Sequence, residues 1–353
     1  MHLEELFEKR EKGQLELIAA LMNASAEASL KEILLETDLS RSTLLKYIEE
    51  LNLLAEEENF ALNIHLNNDH VSLQMGYQVT KEDLIQLLLP FSVKIKILHY
   101  LYQKDEFTVQ KLAQVLTISE ATLHRQLAAL NTSLAEFGLS IKNGRLRGEE
   151  HQIRYFYYQL YWLTIPKKEM AQQFSLQQFQ GMIEAIKQFW AMDMSTTNQY
   201  KLALWFSITK QRIGLKHKEF KRIKQLMQPY SNHRFFQQVR QQMLRYLSRY
   251  ALEVEEEETM CQFIFITTMS ILSPHVMERK LGYGGPVSHA TTKGLKFIRA
   301  IVPLGENLNE QALYTLNQML GQLYFFKGAL IDRSYSLESD LALIGNAMAL
   351  EHA

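Results

Sequence analysis

Cysteine is almost missing from this 353-residue chain: Cys261 stands alone. A single thiol forms no intrachain disulfide and supplies no cysteine zinc site, which fits a reducing compartment, and its apolar surroundings read as a structural position. Proline is scarce as well, at six residues, so little interrupts helices. No apolar run approaches the roughly 20 residues that span a bilayer. The first twenty residues are charged throughout, with no apolar run before a small-residue cleavage site. A soluble, cytoplasmic protein with no membrane partner is the expectation. A cationic excess is lacking too: 38 Lys+Arg face 39 Asp+Glu, for a net charge of −1. The halves differ, since residues 1–165 hold 16 basic and 23 acidic side chains and residues 166–353 hold 22 and 16.

Catalytic constellations are also wanting. Gly282-Tyr283-Gly284-Gly285 lacks the following glycine and helix entry of a dinucleotide loop, and no Lys-Ser/Thr completes a phosphate loop. His275 and Glu278 share a helical face, but two ligands make no metal site. No enzyme, cofactor or metal is expected, and Trp162, Trp190 and Trp205 read as core.

Helix is what the chain has in quantity, and two short alternating stretches break it. Helical spacing marks Gln14–Met22, with Leu15, Ile18, Ala19 and Met22 on one face. It marks Ser29–Thr37 behind a Ser29 cap, with Leu30, Ile33 and Leu34 inward, and Arg41–Leu53, burying Leu44, Leu45, Ile48 and Leu51. Leu62, Ile64 and Leu66 then alternate toward Asn67-Asn68-Asp69, and Val71, Leu73 and Met75 alternate back as a hairpin. The order repeats with helices at Phe91–Tyr102 and Phe107–Val115. A Ser119-capped helix carrying Leu123, Leu127 and Leu130 follows. A hairpin then turns on Asn143-Gly144, between residues 139–142 and 145–147.

Each unit has the order of a winged helix-turn-helix, whose recognition helix must carry side chains able to reach base edges and phosphates. The first offers Arg41, Ser42, Thr43, Lys46 and Tyr47; the second offers Ser119, Glu120, Thr122, His124, Arg125 and Gln126. Lys142, Arg145 and Arg147 set three cations at the second wing. Residues 1–76 hold 6 basic against 15 acidic side chains, whereas residues 77–165 hold 10 against 8. Phosphate repulsion therefore favours the second unit as the DNA reader.

Beyond residue 149 the pattern is nearly all helix. Basic helices are expected near Thr197–Ile213 and His217–Met227, and another at Asn232–Tyr250. The acidic run Glu253–Glu258 precedes an apolar helix at Met260–Leu272, and Gly282–Pro286 reads as a linker. Further helices are expected at Lys293–Ile301, Glu310–Phe326 and Leu337–Leu350. The cations Lys210, Arg212, Lys216, Lys218, Lys221, Arg222 and Lys224 fit either a contact to DNA flanks or a solvated or dimer face opposite acidic residues.

The order of units resembles the Mga-type regulators of Gram-positive bacteria. The resemblance rests on Ser29-Leu30-Lys31-Glu32-Ile33 through Lys46-Tyr47-Ile48-Glu49-Glu50-Leu51. In the second unit it rests on Thr108-Val109-Gln110-Lys111-Leu112-Ala113 through Ser119-Glu120-Ala121-Thr122-Leu123-His124-Arg125, with the wing Asn143-Gly144-Arg145-Leu146-Arg147-Gly148-Glu149. Tyr200–Ile213 looks like the opening helix of a PTS regulation domain. Membership implies control of virulence or sugar-utilisation genes, and histidine phosphorylation by a phosphotransferase-system protein. The family position two turns before Arg212 falls on Trp205, and the later one falls on Phe265. His217, His233, His275 and His289 are therefore the candidate phosphorylation sites. Relatives carry a further transporter-like domain, so a shortened member is expected.

The expected architecture is mainly α. Winged helix-turn-helix units occupy residues 1–76 and 77–165, a helical PRD-like regulatory domain occupies 166–281, and a second helical regulatory segment occupies 287–353. The expected function is sequence-specific binding of double-stranded DNA by a homodimer, since paired half-sites multiply specificity. The alternative is an interaction adaptor whose winged folds bind protein partners.

Overall fold

The computed structural model describes residues 1–24, 28–174, 176–302 and 305–331; the helix expected at Leu337–Leu350 lies outside the described residues. The first unit runs α1 (Lys9–Asn23), β1 (Ala28–Ser29), α2 (Leu30–Glu36), α3 (Arg41–Glu57), β2 (Leu62–Asn67) and β3 (His70–Met75). β3 lies between β1 and β2, antiparallel to both. Ser29 opens α2 with a capping box: its Oγ accepts from the Glu32 N–H, and the Glu32 carboxylate accepts from the Ser29 N–H.

The start and inward face of the first helix need correction. α1 begins at Lys9, and it buries Gln14, Leu17, Ile18 and Leu21, while Ala19 and Met22 are exposed. Two apolar stripes overlap in this segment. Both have helical spacing; the one through Gln14, Leu17, Ile18 and Leu21 faces α2, α3 and β3, and that contact decides.

The second unit runs α4 (Lys81–Leu88), a 3-10 turn at Leu89–Phe91, α5 (Val93–Lys104), α6 (Val109–Leu116), α7 (Glu120–Leu134), β4 (Ser140–Lys142) and β5 (Arg145–Arg147). The helix expected from Phe107 starts later because Thr108 caps it. Phe107 is instead extended, donating its N–H to the Gly144 carbonyl at 2.9 Å, while Glu106 bridges Arg145. Residues 106–107 thus do for β5 what β1 does for β3. Asn143 and Gly144 both take positive φ, 51° and 71°, as a two-residue type I′ hairpin turn requires. Phe107 O lies so close to Gly144 that any Cβ there would collide with it.

Caps keep the two units in step: Ser29 corresponds to Thr108, and Ser40 to Ser119, each accepting from the backbone three residues on. The core follows, with Leu44 matched by Leu123 and Leu51 by Leu130, all fully buried.

Ten helices complete the described chain: α8 (Glu150–Thr164), α9 (Lys167–Gln173), α10 (Leu176–Trp190), α11 (Thr196–Arg212), α12 (Ile223–Met227), α13 (Arg234–Leu247), α14 (Glu256–Thr268), α15 (Pro274–Leu281), α16 (Ser288–Ile301) and α17 (Glu306–Phe325). α8 is buried along most of its length and packs on α4 on one side and α11 on the other. α14 is enclosed nearly all round, Cys261 included. Trp205 is buried, donating its indole N–H to Gln262 Oε1 at 2.8 Å. His151 of α8 has Nε2 3.2 Å from the Phe325 carbonyl, and burial pushes its pKa down to about 4. Beyond α17 the chain returns to α8, where Gln152 donates to the Lys327 carbonyl at 2.7 Å and accepts the Lys327 N–H at 3.0 Å.

Three expectations for this region are corrected. The acidic run does not end before α14: Glu256, Glu257 and Glu258 form its first turn, with Glu258 fully buried. The basic cluster is not one solvated face, because much of it pairs with that run. Lys218 meets Glu258 at 2.6 Å and Glu255 at 3.3 Å, Lys224 meets Glu257, and Arg212 is buried against Glu150. Residues 213–222 are not helical, and helix starts only at Ile223. Lastly, Gly282–Pro286 is a packed turn: Gly282 closes α15 in the left-handed conformation (φ 55°), and Tyr283 is buried.

At the centre, Arg154 donates to Glu258 through both terminal nitrogens (2.7 and 3.0 Å) and through Nε to Glu150 (2.8 Å). Arg212 reaches the same Glu150 at 2.8 and 3.0 Å. Burial alone would raise the Glu150 carboxyl, but the guanidiniums of Arg212 and Arg154 outweigh it and hold the pKa below the usual range. Among the described residues, no single helix is long and apolar enough to cross a membrane.

Candidate nucleic-acid interface

The turn before α7 is tight. Thr117 adopts the left-handed conformation (φ 56°) and ends α6, and Ser119 then caps α7 by accepting the Thr122 N–H at 3.1 Å. The buried side of α7 carries Leu123, Leu130 and Leu134. Its opposite side, by helical spacing, turns the first two turns to solvent: Ser119, Glu120, His124 and Arg125 are exposed, while Thr122 and Gln126 are half-buried. Ser119 and Thr122 also bond each other's hydroxyls at 3.0 Å, so their oxygens are partly committed to the cap. His124, Arg125 and Gln126 make no side-chain hydrogen bond to any described residue.

On the wing beside α7, Lys142 is exposed and Arg147 half-buried, and neither forms an ion pair with a described residue. Arg145 differs: it is half-buried and paired with Glu106. Its charge is therefore largely answered within the fold, leaving Arg125, Lys142 and Arg147 as the open cations of α7 and its wing.

One device ties wing to helix. From α7, Asn131 accepts the Ile141 N–H at 2.6 Å and donates to the Ile141 carbonyl at 3.2 Å. From α3, Asn52 does the same for Ile64, at 2.8 and 2.9 Å. Each asparagine stands at the same distance from its serine cap and fixes the first strand of its wing. Sequence reasoning missed both. The matching offset from Ser40 and Ser119 was the available signal.

The first unit's candidates are more occupied. Arg41 is exposed but bonds Asp69 at 3.1 Å, and Lys46 lies 3.8 Å from Glu50. Ser42 is exposed, 3.0 Å from the Ser40 hydroxyl, and Thr43 is half-buried, with its N–H donating to that same cap. Tyr47, expected on the outer face, is only 7% exposed and packs on Gly13 of α1. Glycine leaves room there for the ring.

The four histidines do not gather. His217 lies exposed in the 213–222 connection, and His275 and His289 are exposed in α15 and α16. His233 caps α13, its ring accepting the Phe235 N–H at 3.2 Å.

Residues 77–161 match the family model of the Mga helix-turn-helix domain. This stretch is thus similar to the Mga helix-turn-helix domain, over about a quarter of the chain. The matched span takes in α4 to β5 and most of α8, so the exposed start of α7 and its wing lie within the Mga domain. The match supports a DNA-binding helix-turn-helix domain of the kind found in transcription regulators. No curated protein gives a significant match.

Proposed function

We propose that this chain is an Mga-type transcription regulator that binds specific duplex sequences through the start of α7 and the β4–β5 wing, acting as a homodimer by binding rather than by catalysis. The observation that carries this reading is the exposed pair His124 and Arg125, unpaired and flanked by the open wing cations Lys142 and Arg147. Arginine suits bidentate contact with guanine, Gln126 suits adenine, and the wing suits phosphate. Arg41, Ser42, Thr43 and Lys46 add a second, weaker contact. The helical region from α9 onward carries PRD-like sensing and oligomer contacts, with His217, His233, His275 and His289 as the positions open to a phosphotransferase-system protein.

The test is footprinting of the purified protein on genomic fragments, followed by salt titration on a bound site. A footprint covering two half-sites, with a salt slope reduced by about 1 in Arg147→Ala, supports the reading. An unchanged slope, or one half-site alone, counts against it.

One observation favours a second reading for the first unit. Its recognition cations are answered by Asp69 and Glu50 amid an acidic surface, so this unit is suited to a basic protein partner. Loss of DNA affinity in Arg41→Ala/Lys46→Ala would exclude that alternative.

A further inference from the structure

A cavity of about 510 Å³ opens between α5, the C-terminal end of α6 and the ends of α4 and α8. Its volume lies within the range of small-molecule sites, about 300–1,000 Å³. The walls are mainly apolar, with Leu89, Ile95, Val115, Leu116, Leu160 and Ile165 among the lining side chains. Its polar lining is mostly uncharged, with Gln86, Gln103, Gln173, Thr164 and two tyrosines. Among the described residues no carboxylate lines the cavity, and Lys96 is its one lysine or arginine. Lys96 is exposed and forms no ion pair with a described residue. His99 is bonded on both ring nitrogens, to Tyr161 at 3.3 Å and Gln103 at 2.7 Å, and burial lowers its pKa, keeping the ring neutral near pH 7.

We propose that this cavity binds a small amphipathic carboxylic acid, its apolar body among the leucine and isoleucine side chains and its carboxylate on Lys96, as an effector of DNA binding. The regulatory half rests on the function proposed above; the binding half does not. The effect follows from position. Val115 and Leu116 form the last turn of α6, directly before the Thr117 turn that aims α7. A ligand bridging these residues to Leu160 of α8 and to Ile165 just after it restrains the recognition helix relative to the helical region. A ligand with equal affinity for both positions of α7 would shift nothing, so coupling is a separate measurement.

The test uses octanoate and octanol as probes of the full chain by calorimetry. Saturable octanoate binding, weakened about tenfold or more in Lys96→Glu while octanol binding stays within about twofold, is the expected result. A variant that merely failed to fold would lose both ligands together. Val115→Trp, at a site exposed enough (56%) to accept the ring, should weaken both by obstructing the cavity with its fold retained by circular dichroism. Absence of saturable octanoate binding at millimolar concentration, or equal octanoate affinity in Lys96→Glu, overturns the site. In gel shifts, octanoate should change wild-type DNA affinity at least about threefold and leave Lys96→Glu unaffected; DNA affinity indifferent to bound octanoate overturns the effector role. A protein that binds no DNA under any condition sinks the proposed function instead, and calorimetry still decides the cavity.

Discussion

Glu258→Gln should be among the most damaging single substitutions in the molecule. The side chain is fully buried and accepts two hydrogen bonds from Arg154 and one from Lys218, at 2.7, 3.0 and 2.6 Å. Glutamine keeps the shape but removes the charge, and its amide N–H groups then point at cationic donors. Removing one partner of a buried pair costs about 3–5 kcal/mol, because the remaining charge is stranded in low dielectric. The same chemistry at the surface is nearly silent: Asp69 is 74% exposed, and Asp69→Asn, which breaks its bond to Arg41, should cost below about 1 kcal/mol. Arg154→Met/Glu258→Met is the informative third variant. It leaves Glu150 with Arg212 and Lys218 with Glu255, so every charge that remains keeps a partner. The double variant should therefore lose less than Glu258→Gln alone. Urea unfolding followed by circular dichroism and tryptophan fluorescence reads all three. Glu258→Gln within about 1 kcal/mol of wild type, or a double variant losing as much as Glu258→Gln or more, would refute the reasoning.

Asn131→Ala removes two bonds to the Ile141 backbone, so a loss of about 1–3 kcal/mol is expected in urea unfolding. DNA affinity should fall as well because the wing is released, whereas Asn52→Ala should cost similar stability with a smaller effect on DNA. The His151 ring is neutral in the fold, with its pKa near 4, against an unfolded value of about 6.5. Its contribution of about 3 kcal/mol is thus fully present above pH 6.5 and lost as pH falls toward 4. His151→Gln should remove that part of the pH dependence, measured as the wild-type minus variant difference across the same window; a flat difference contradicts it.

The helix-turn-helix units were legible because their signals are local. Serine and threonine caps, heptad spacing and Asn-Gly each act within a few residues, and together they located α2, α3, α6, α7 and the second wing. Features that depend on partners distant in sequence were not legible. Which stripe of α1 faces inward is set by α2, α3 and β3, and the wrong one was expected. Lys218 and Lys224 read as part of a cationic cluster, and Glu253–Glu258 as an acidic run ahead of a helix, until the fold closed one on the other. The candidate site shows the same division. The exposure of His124 and Arg125 follows from the α7 period, while the engagement of Arg145 by Glu106 and of Arg41 by Asp69 depends on how the strands pair.

The most direct test of the central claim is duplex binding at low ionic strength by the wild-type protein and Arg125→Ala, each against a footprinted site and a scrambled one. The account predicts salt-sensitive wild-type binding with a clear preference for the site. In Arg125→Ala it predicts a loss of about 1–3 kcal/mol on the site and little change on the scrambled duplex. A wild-type protein indifferent to duplex DNA, or an alanine variant that keeps full affinity and preference, would contradict it.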